Sequence, residues 1–133
     1  MNRSKKEYPV LTKSEMDVMK ILWQIRDEAT VKDILARYTE PKPAYTTVAT
    51  FLKILTAKGY LSESKRLDMG KALYYKPLLS QEEYTSRVMD EVTTDFFGGS
   101  VGSLVNFFVR EEKISVSEIE KLLQMIKDAE LRH

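Results

Sequence analysis

Tyr45-Thr46-Thr47-Val48-Ala49-Thr50-Phe51-Leu52-Lys53-Ile54-Leu55-Thr56-Ala57-Lys58-Gly59-Tyr60 is the stretch whose reading decides the fold. Pro41 and Pro43 stand before it and Gly59 follows it, so a helix from about Ala44 to Lys58 is bounded at both ends. At about 100° per residue, Val48, Phe51, Leu52 and Leu55 gather on one side and form a core-facing stripe. Opposite them lie Thr46, Thr50, Lys53 and Ala57, with Tyr45 and Ala49 on one flank and Thr47 and Ile54 on the other. An ordinary solvated face would carry Glu, Lys and Gln, which favour helix and solubility. Threonine is a poor helix former, so the cluster Thr46, Thr47 and Thr50 asks for another reason. A close approach to a polar groove is one, because hydroxyls bond bases or phosphates and methyls meet thymine methyls. The bland alternative is that Thr46 or Thr47 caps the helix and Thr50 is incidental.

Two helices precede this segment. Thr12 with Glu15 forms a capping box, and Met16, Met19, Ile21, Leu22, Trp23 and Ile25 mark an amphipathic helix over 12–26. Thr30 with Asp33 repeats the cap and opens a short helix over 31–38. Beyond Gly59 the period changes. Tyr60–Leu67 and Ala72–Pro77 read as two strands joined by the turn Asp68-Met69-Gly70-Lys71. Three helices followed by a hairpin is the order of a winged helix-turn-helix domain. Lys65, Arg66 and Lys71 surround the hairpin turn, where such a wing lies along a sugar-phosphate backbone; a solvated basic loop is the plainer reading. Lys5, Lys6, Lys42 and Lys53 are further phosphate candidates.

The second half returns to helix. Ser80 with Glu83 caps a segment carrying Tyr84, Val88, Val92 and Phe96, which Gly98-Gly99 ends. Val101, Leu104, Val105 and Phe108 form a second stripe. Ser115 with Glu118 caps a third helix with Ile119, Leu122, Leu123 and Ile126. So short a segment buries too little surface to fold by itself. Pairing with a second copy covers the stripes and sets two DNA-reading helices one or more turns apart; packing back onto its own winged domain is the alternative. The expected class is therefore mainly α with a small β-hairpin wing. Residues 1–78 form the winged-helix domain and 79–133 a helical dimerisation region.

Charge agrees with that division. Residues 1–76 hold 15 Lys+Arg against 9 Asp+Glu and residues 77–133 hold 6 against 11, so the first part is basic and the second acidic. The absence of cysteine excludes disulfides and thiolate metal sites, and the single histidine is the terminal His133. Glu82/Glu83 and Glu111/Glu112 are chain neighbours, which diverge on a helix rather than converge on a substrate. No catalytic centre, metal or cofactor is expected. No leader or membrane-spanning run follows the basic start, so the cytoplasm is the expected compartment.

Leu11-Thr12-Lys13-Ser14-Glu15-Met16-Asp17-Val18-Met19 with Trp23, Tyr45–Thr50 with Leu55, and Lys58-Gly59-Tyr60-Leu61 together resemble the penicillinase repressor family. The likeness continues through Gly98-Gly99-Ser100 and Ser103-Leu104-Val105 into the last helix. It implies a homodimer on a palindromic double-stranded operator, with the third helix in the major groove. Thr47 and Thr50 fall on the family's base-reading threonines; Ala49 falls where some members carry arginine. The resemblance also implies induction through a membrane sensor-protease pathway that cuts an Asn-Phe bond in the dimerisation region. Asn106-Phe107 is the candidate bond here, but it lies one residue early in an ungapped alignment on Ser103-Leu104-Val105. The copper-responsive branch uses C-terminal cysteines, which this chain lacks. Two other readings stay open at this point: a winged-helix protein-interaction module, and a ligand-sensing regulator with Tyr74, Tyr75, Phe96 and Phe97 lining a pocket.

Overall fold

The computed structural model describes residues 10–66 and 70–131. Its element order is α1 (Lys13–Ile25), α2 (Val31–Leu35), α3 (Tyr45–Ala57), β1 (Leu61–Lys65), β2 (Leu73–Pro77), α4 (Gln81–Phe97), α5 (Val101–Arg110) and α6 (Val116–Leu131). This is the expected order: three helices, an antiparallel hairpin, then helices only. Part of the expected turn, residues 67–69, lies outside the described residues, as do Lys5 and Lys6.

Local chemistry sets the boundaries. At α1 the Thr12 hydroxyl accepts from the Glu15 N–H at 3.2 Å, and the Glu15 carboxylate accepts from the Thr12 N–H at 3.0 Å. Reciprocal pairs of the same kind open α2 (Thr30/Asp33), α4 (Ser80/Glu83) and α6 (Ser115/Glu118). Helix α3 closes at Gly59, whose φ of 90° lets the Tyr60 N–H turn back to the Leu55 carbonyl at 2.9 Å. The hairpin pairs Leu61 with Pro77 through Lys65 with Leu73. Ala29, in the α1–α2 loop, adds a short rung by exchanging two backbone hydrogen bonds with Tyr75, at 2.9 and 2.8 Å.

Two compact units divide between Ser86 and Arg87. In the first, α3 packs against α1, α2 and β1. Val48, Leu52 and Leu55 from α3 are wholly buried with Val18, Met19 and Leu22 from α1 and Ile34 from α2. Each buried side chain of this kind contributes roughly 2 kcal/mol. The boundary falls later than the expected 78/79 because the start of α4 is anchored here. The Trp23 indole N–H donates to the Leu79 carbonyl at 2.8 Å, and the Tyr84 ring lies 5.9 Å from Trp23 and 5.8 Å from Tyr60. The Tyr84 hydroxyl accepts the Leu11 N–H at 3.1 Å. Tyr84 was expected at the dimer contact; at 6% exposure it is a core residue of the first unit instead.

The second unit is built differently. Neither α5 nor α6 contains a buried residue. The Phe97 and Phe107 rings meet edge-on at 5.7 Å, and Phe107 meets Phe108 at 5.6 Å. Val105, Phe108, Leu122, Leu123 and Ile126 are all 40–56% exposed, and Phe96 is 77% exposed.

Candidate nucleic-acid interface

Helix α3 presents two faces of opposite character. The inner one is the Val48, Leu52, Leu55 stripe; Phe51, expected beside them, is half-buried. Outward lie Thr46, Thr47, Thr50 and Lys53, all exposed, with Tyr45 at 58% and Ala49 half-buried at the edge. The capping alternative for the threonines does not hold. The N-cap is Ala44, and no side chain caps α3. Thr50 donates its hydroxyl to the Thr46 carbonyl at 2.9 Å, which holds its rotamer and leaves the oxygen's acceptor side outward.

The start of α3 also differs electrostatically from the other described helices. Those carry an acidic residue in the first turn, a capping side chain, or both: Glu15 in α1, Asp33 in α2, Glu82 and Glu83 in α4, Ser100 before α5, Glu118 in α6. Helix α3 has neither. Its positive end is therefore not compensated by a local side chain, which suits the approach of a phosphate.

The wing completes a concave surface. Tyr45, Ala49 and Lys53 from α3, Thr30 and Val31 at the start of α2, and Lys71 through Leu73 with Tyr75 enclose a cleft of about 200 Å³. Lys53 and Lys71 bring positive charge to it from two separate elements. Tyr75 forms its floor; its hydroxyl donates to Glu63 at 2.9 Å, and burial followed by that bond pushes its pKa up to about 12. Tyr75 thus stays neutral at physiological pH.

Strand alternation separates the two basic residues at the end of β1. Lys65 pairs with Leu73, a residue that lines the cleft, whereas Ser64 pairs with Tyr74 on the other face. Arg66 joins that other face. Its guanidinium stacks 4.4 Å over the Tyr74 ring and lies 3.2 Å from the Glu28 carboxylate, whose hydrogen bond raises the Arg66 pKa. Sequence alone assigned Lys65 and Arg66 the same role; the structure gives them different surroundings. Lys42 is exposed in the segment before α3.

Beneath the interface lies an ion pair invisible to local reading. Lys58, the C-cap of α3, donates to both oxygens of Glu15 at 3.0 and 2.9 Å, and Glu15 is 4% exposed. Burial opposes ionisation of Glu15, but the bonds from Lys58 and from the Thr12 backbone outweigh it and hold the carboxyl below its ordinary value. The end of α3 is thereby tied to the start of α1.

The remaining candidates fall as follows. Tyr74 and Tyr75 are committed to Arg66 and to the core, Phe97 packs on Phe107, and Phe96 is exposed. Asn106-Phe107 lies within α5, in a hydrogen-bonded helix rather than an extended loop. Val88, Val92, Leu104 and Ile119 are half-buried in the second unit. No group of His, Cys, Asp and Glu among the described residues is arranged to hold a metal ion. No helix among them is long and apolar enough to cross a membrane.

Comparison of the sequence with known proteins gives the family. The chain is 27% identical over 127 residues to the penicillinase repressor of Bacillus licheniformis, covering 92% of this chain and 94% of that protein. The sequence model of the family described as penicillinase repressor matches residues 11–128, nearly the full length, and the chain belongs to that family of DNA-binding transcriptional repressors.

Proposed function

We propose that this repressor binds a palindromic double-stranded operator as a homodimer, with α3 in the major groove and the hairpin along the adjacent backbone. The observation that carries this reading is the outer face of α3. It is exposed, hydroxyl-rich, uncapped at its positive end, and shares a cleft with the basic wing. In the groove Thr47 and Thr50 read base edges, Tyr45 and Ala49 make apolar contacts, and Thr46 and Lys53 meet phosphates with Lys65 and Lys71. Dimerisation joins the exposed stripes of α5 and α6, which a single chain leaves uncovered. Release follows an inducing signal. If a sensor-protease pathway supplies it, cutting at Asn106-Phe107 requires local unwinding of α5, because a protease takes its substrate extended.

The test is operator binding across a salt series with Thr50→Ala and Lys65→Ala beside the unaltered protein. Thr50→Ala should cost about 1–3 kcal/mol of discrimination against altered operators. It should leave the salt slope unchanged. Lys65→Ala should weaken all sequences alike and flatten the slope of log K against log salt by about one. Sequence-blind, salt-insensitive association by the unaltered protein would remove the proposal and favour a protein-interaction module.

A further inference from the structure

We infer that Arg66 and Glu28 form a clamp that holds the wing in its DNA-binding position, and that Arg66 is a positioning residue rather than a phosphate contact. The inference rests on the DNA-binding reading above and divides the labour of two neighbouring basic residues within it.

A single carboxylate makes the clamp. One oxygen of Glu28 lies 3.2 Å from the Arg66 guanidinium, and the other accepts the Ser64 hydroxyl at 3.1 Å. The guanidinium at the same time covers the Tyr74 ring at 4.4 Å. Glu28 therefore grips β1 through Ser64 and, through Arg66 on Tyr74, reaches β2 at the register pair Ser64–Tyr74. Its own position is fixed by its neighbour. Ala29 is wholly buried and makes two backbone hydrogen bonds to Tyr75. The α1–α2 loop is thus a rigid post against which the hairpin is set.

Geometry argues against a phosphate role for Arg66. It sits on the Ser64–Tyr74 face, while Lys65 is on the face of Leu73 and Tyr75 that lines the cleft beside α3. Its planar fork is already engaged by a carboxylate, the geometry for which guanidinium is suited. A phosphate would have to displace Glu28 and bear the repulsion of that carboxylate. Lys65 is exposed on the cleft side, where the carboxylate sharing its strand face, Glu63, already accepts from the Tyr75 hydroxyl.

Two double variants leave net charge unchanged and so isolate geometry. In Glu28→Gln/Arg66→Gln the ion pair is removed; operator affinity should fall about fivefold, the scale of a partly exposed pair. The salt slope should stay as in the unaltered protein. In the exchange Glu28→Arg/Arg66→Glu the ion pair is rebuilt in reverse without the stack on Tyr74 or the carboxylate acceptor for Ser64, so affinity should recover in part. Amide hydrogen exchange of 61–65 and 73–76 without DNA should quicken in the first variant and return part of the way in the second. A slope flattened by about one in both variants, without recovery in the exchange, would show Arg66 to be a phosphate contact and overturn the clamp. Unchanged exchange of the hairpin amides would overturn it as well. If the unaltered protein binds no DNA, the operator reading fails, and the hydrogen-exchange arm still decides the clamp.

Discussion

Glu15→Ala should destabilise the N-terminal unit by about 3 kcal/mol, measured by denaturant unfolding of the full chain with the fluorescence of its single tryptophan, Trp23. The size follows from what the carboxylate does. It caps α1 by accepting the Thr12 N–H and receives both hydrogen bonds of Lys58 at the end of α3, at 4% exposure. Losing one partner of a buried pair costs about 3–5 kcal/mol. The Lys58 side chain retains 29% exposure and can turn to solvent, which trims that figure. The lost cap adds about 1 kcal/mol back. Glu15→Gln keeps an acceptor for Thr12 and should cost about half as much as the alanine. The sign of the pH dependence is set by the lowered pKa. A carboxyl whose folded pKa lies below its ordinary value of 4.5 contributes its full stabilisation above that value and loses it as the pH falls through the folded pKa. The gap between the unaltered protein and Glu15→Gln should therefore be full at pH 6 and narrow on acidification below about 4.5. A gap that stays constant down to pH 3 would refute an ionised Glu15 in the folded state.

That ion pair also shows where sequence reading stops. Caps written within four residues, such as Thr12/Glu15, Thr30/Asp33, Ser80/Glu83 and Ser115/Glu118, were legible because donor and acceptor meet whenever the helix forms. The change from a helical to an alternating period after Gly59 was legible for the same reason, and with it the winged order of elements. Glu15 and Lys58 are 43 residues apart, and Glu28 and Ser64 are 36 apart. No local pattern joins them; only the packing of α1 against α3 and of the α1–α2 loop against the hairpin does. Tyr84 misled for a related reason. Its spacing with Val88 and Val92 continues one apolar stripe of α4, yet Trp23, Tyr60 and the Leu11 N–H claim it for the first unit. Lys65 and Arg66 were indistinguishable as letters, and strand alternation with one nearby carboxylate separates them. The threonines of α3 are exposed, as their place opposite the apolar stripe implies, and Ala44 at the N-cap removes capping as the reason for Thr46 or Thr47.

On the dimeric reading proposed above, Leu123→Glu/Ile126→Glu should convert the protein to a monomer and lower affinity for a full palindrome by about two to four orders of magnitude. Helix α6 places Ile119, Leu122, Leu123 and Ile126 along one side, and α5 places Val101, Leu104, Val105 and Phe108 likewise. Neither helix buries a residue within one chain, and Leu123 and Ile126 are 50% and 56% exposed. Water contact with two such stripes is unfavourable by roughly 25 cal/mol per Å² of apolar surface, which a second copy relieves. Two carboxylates in each α6 stripe place like charges together at a symmetric contact and leave them without partners when it closes. The large effect on DNA arises without any change in α3. In a dimer the second half-site is met at an effective concentration near millimolar, whereas a monomer must find it from bulk solution. Affinity for an isolated half-site should accordingly change little, and that contrast separates lost dimerisation from lost folding. Lys121→Glu, on the opposite side of α6, changes charge in the same direction and should leave both mass and affinity as they were. Light scattering at micromolar concentration reads the mass directly. A dimer that persists in the double variant would move the subunit contact away from α6. An unaltered protein that is monomeric yet binds the palindrome no more tightly than the half-site would remove the dimeric mode of operator binding altogether.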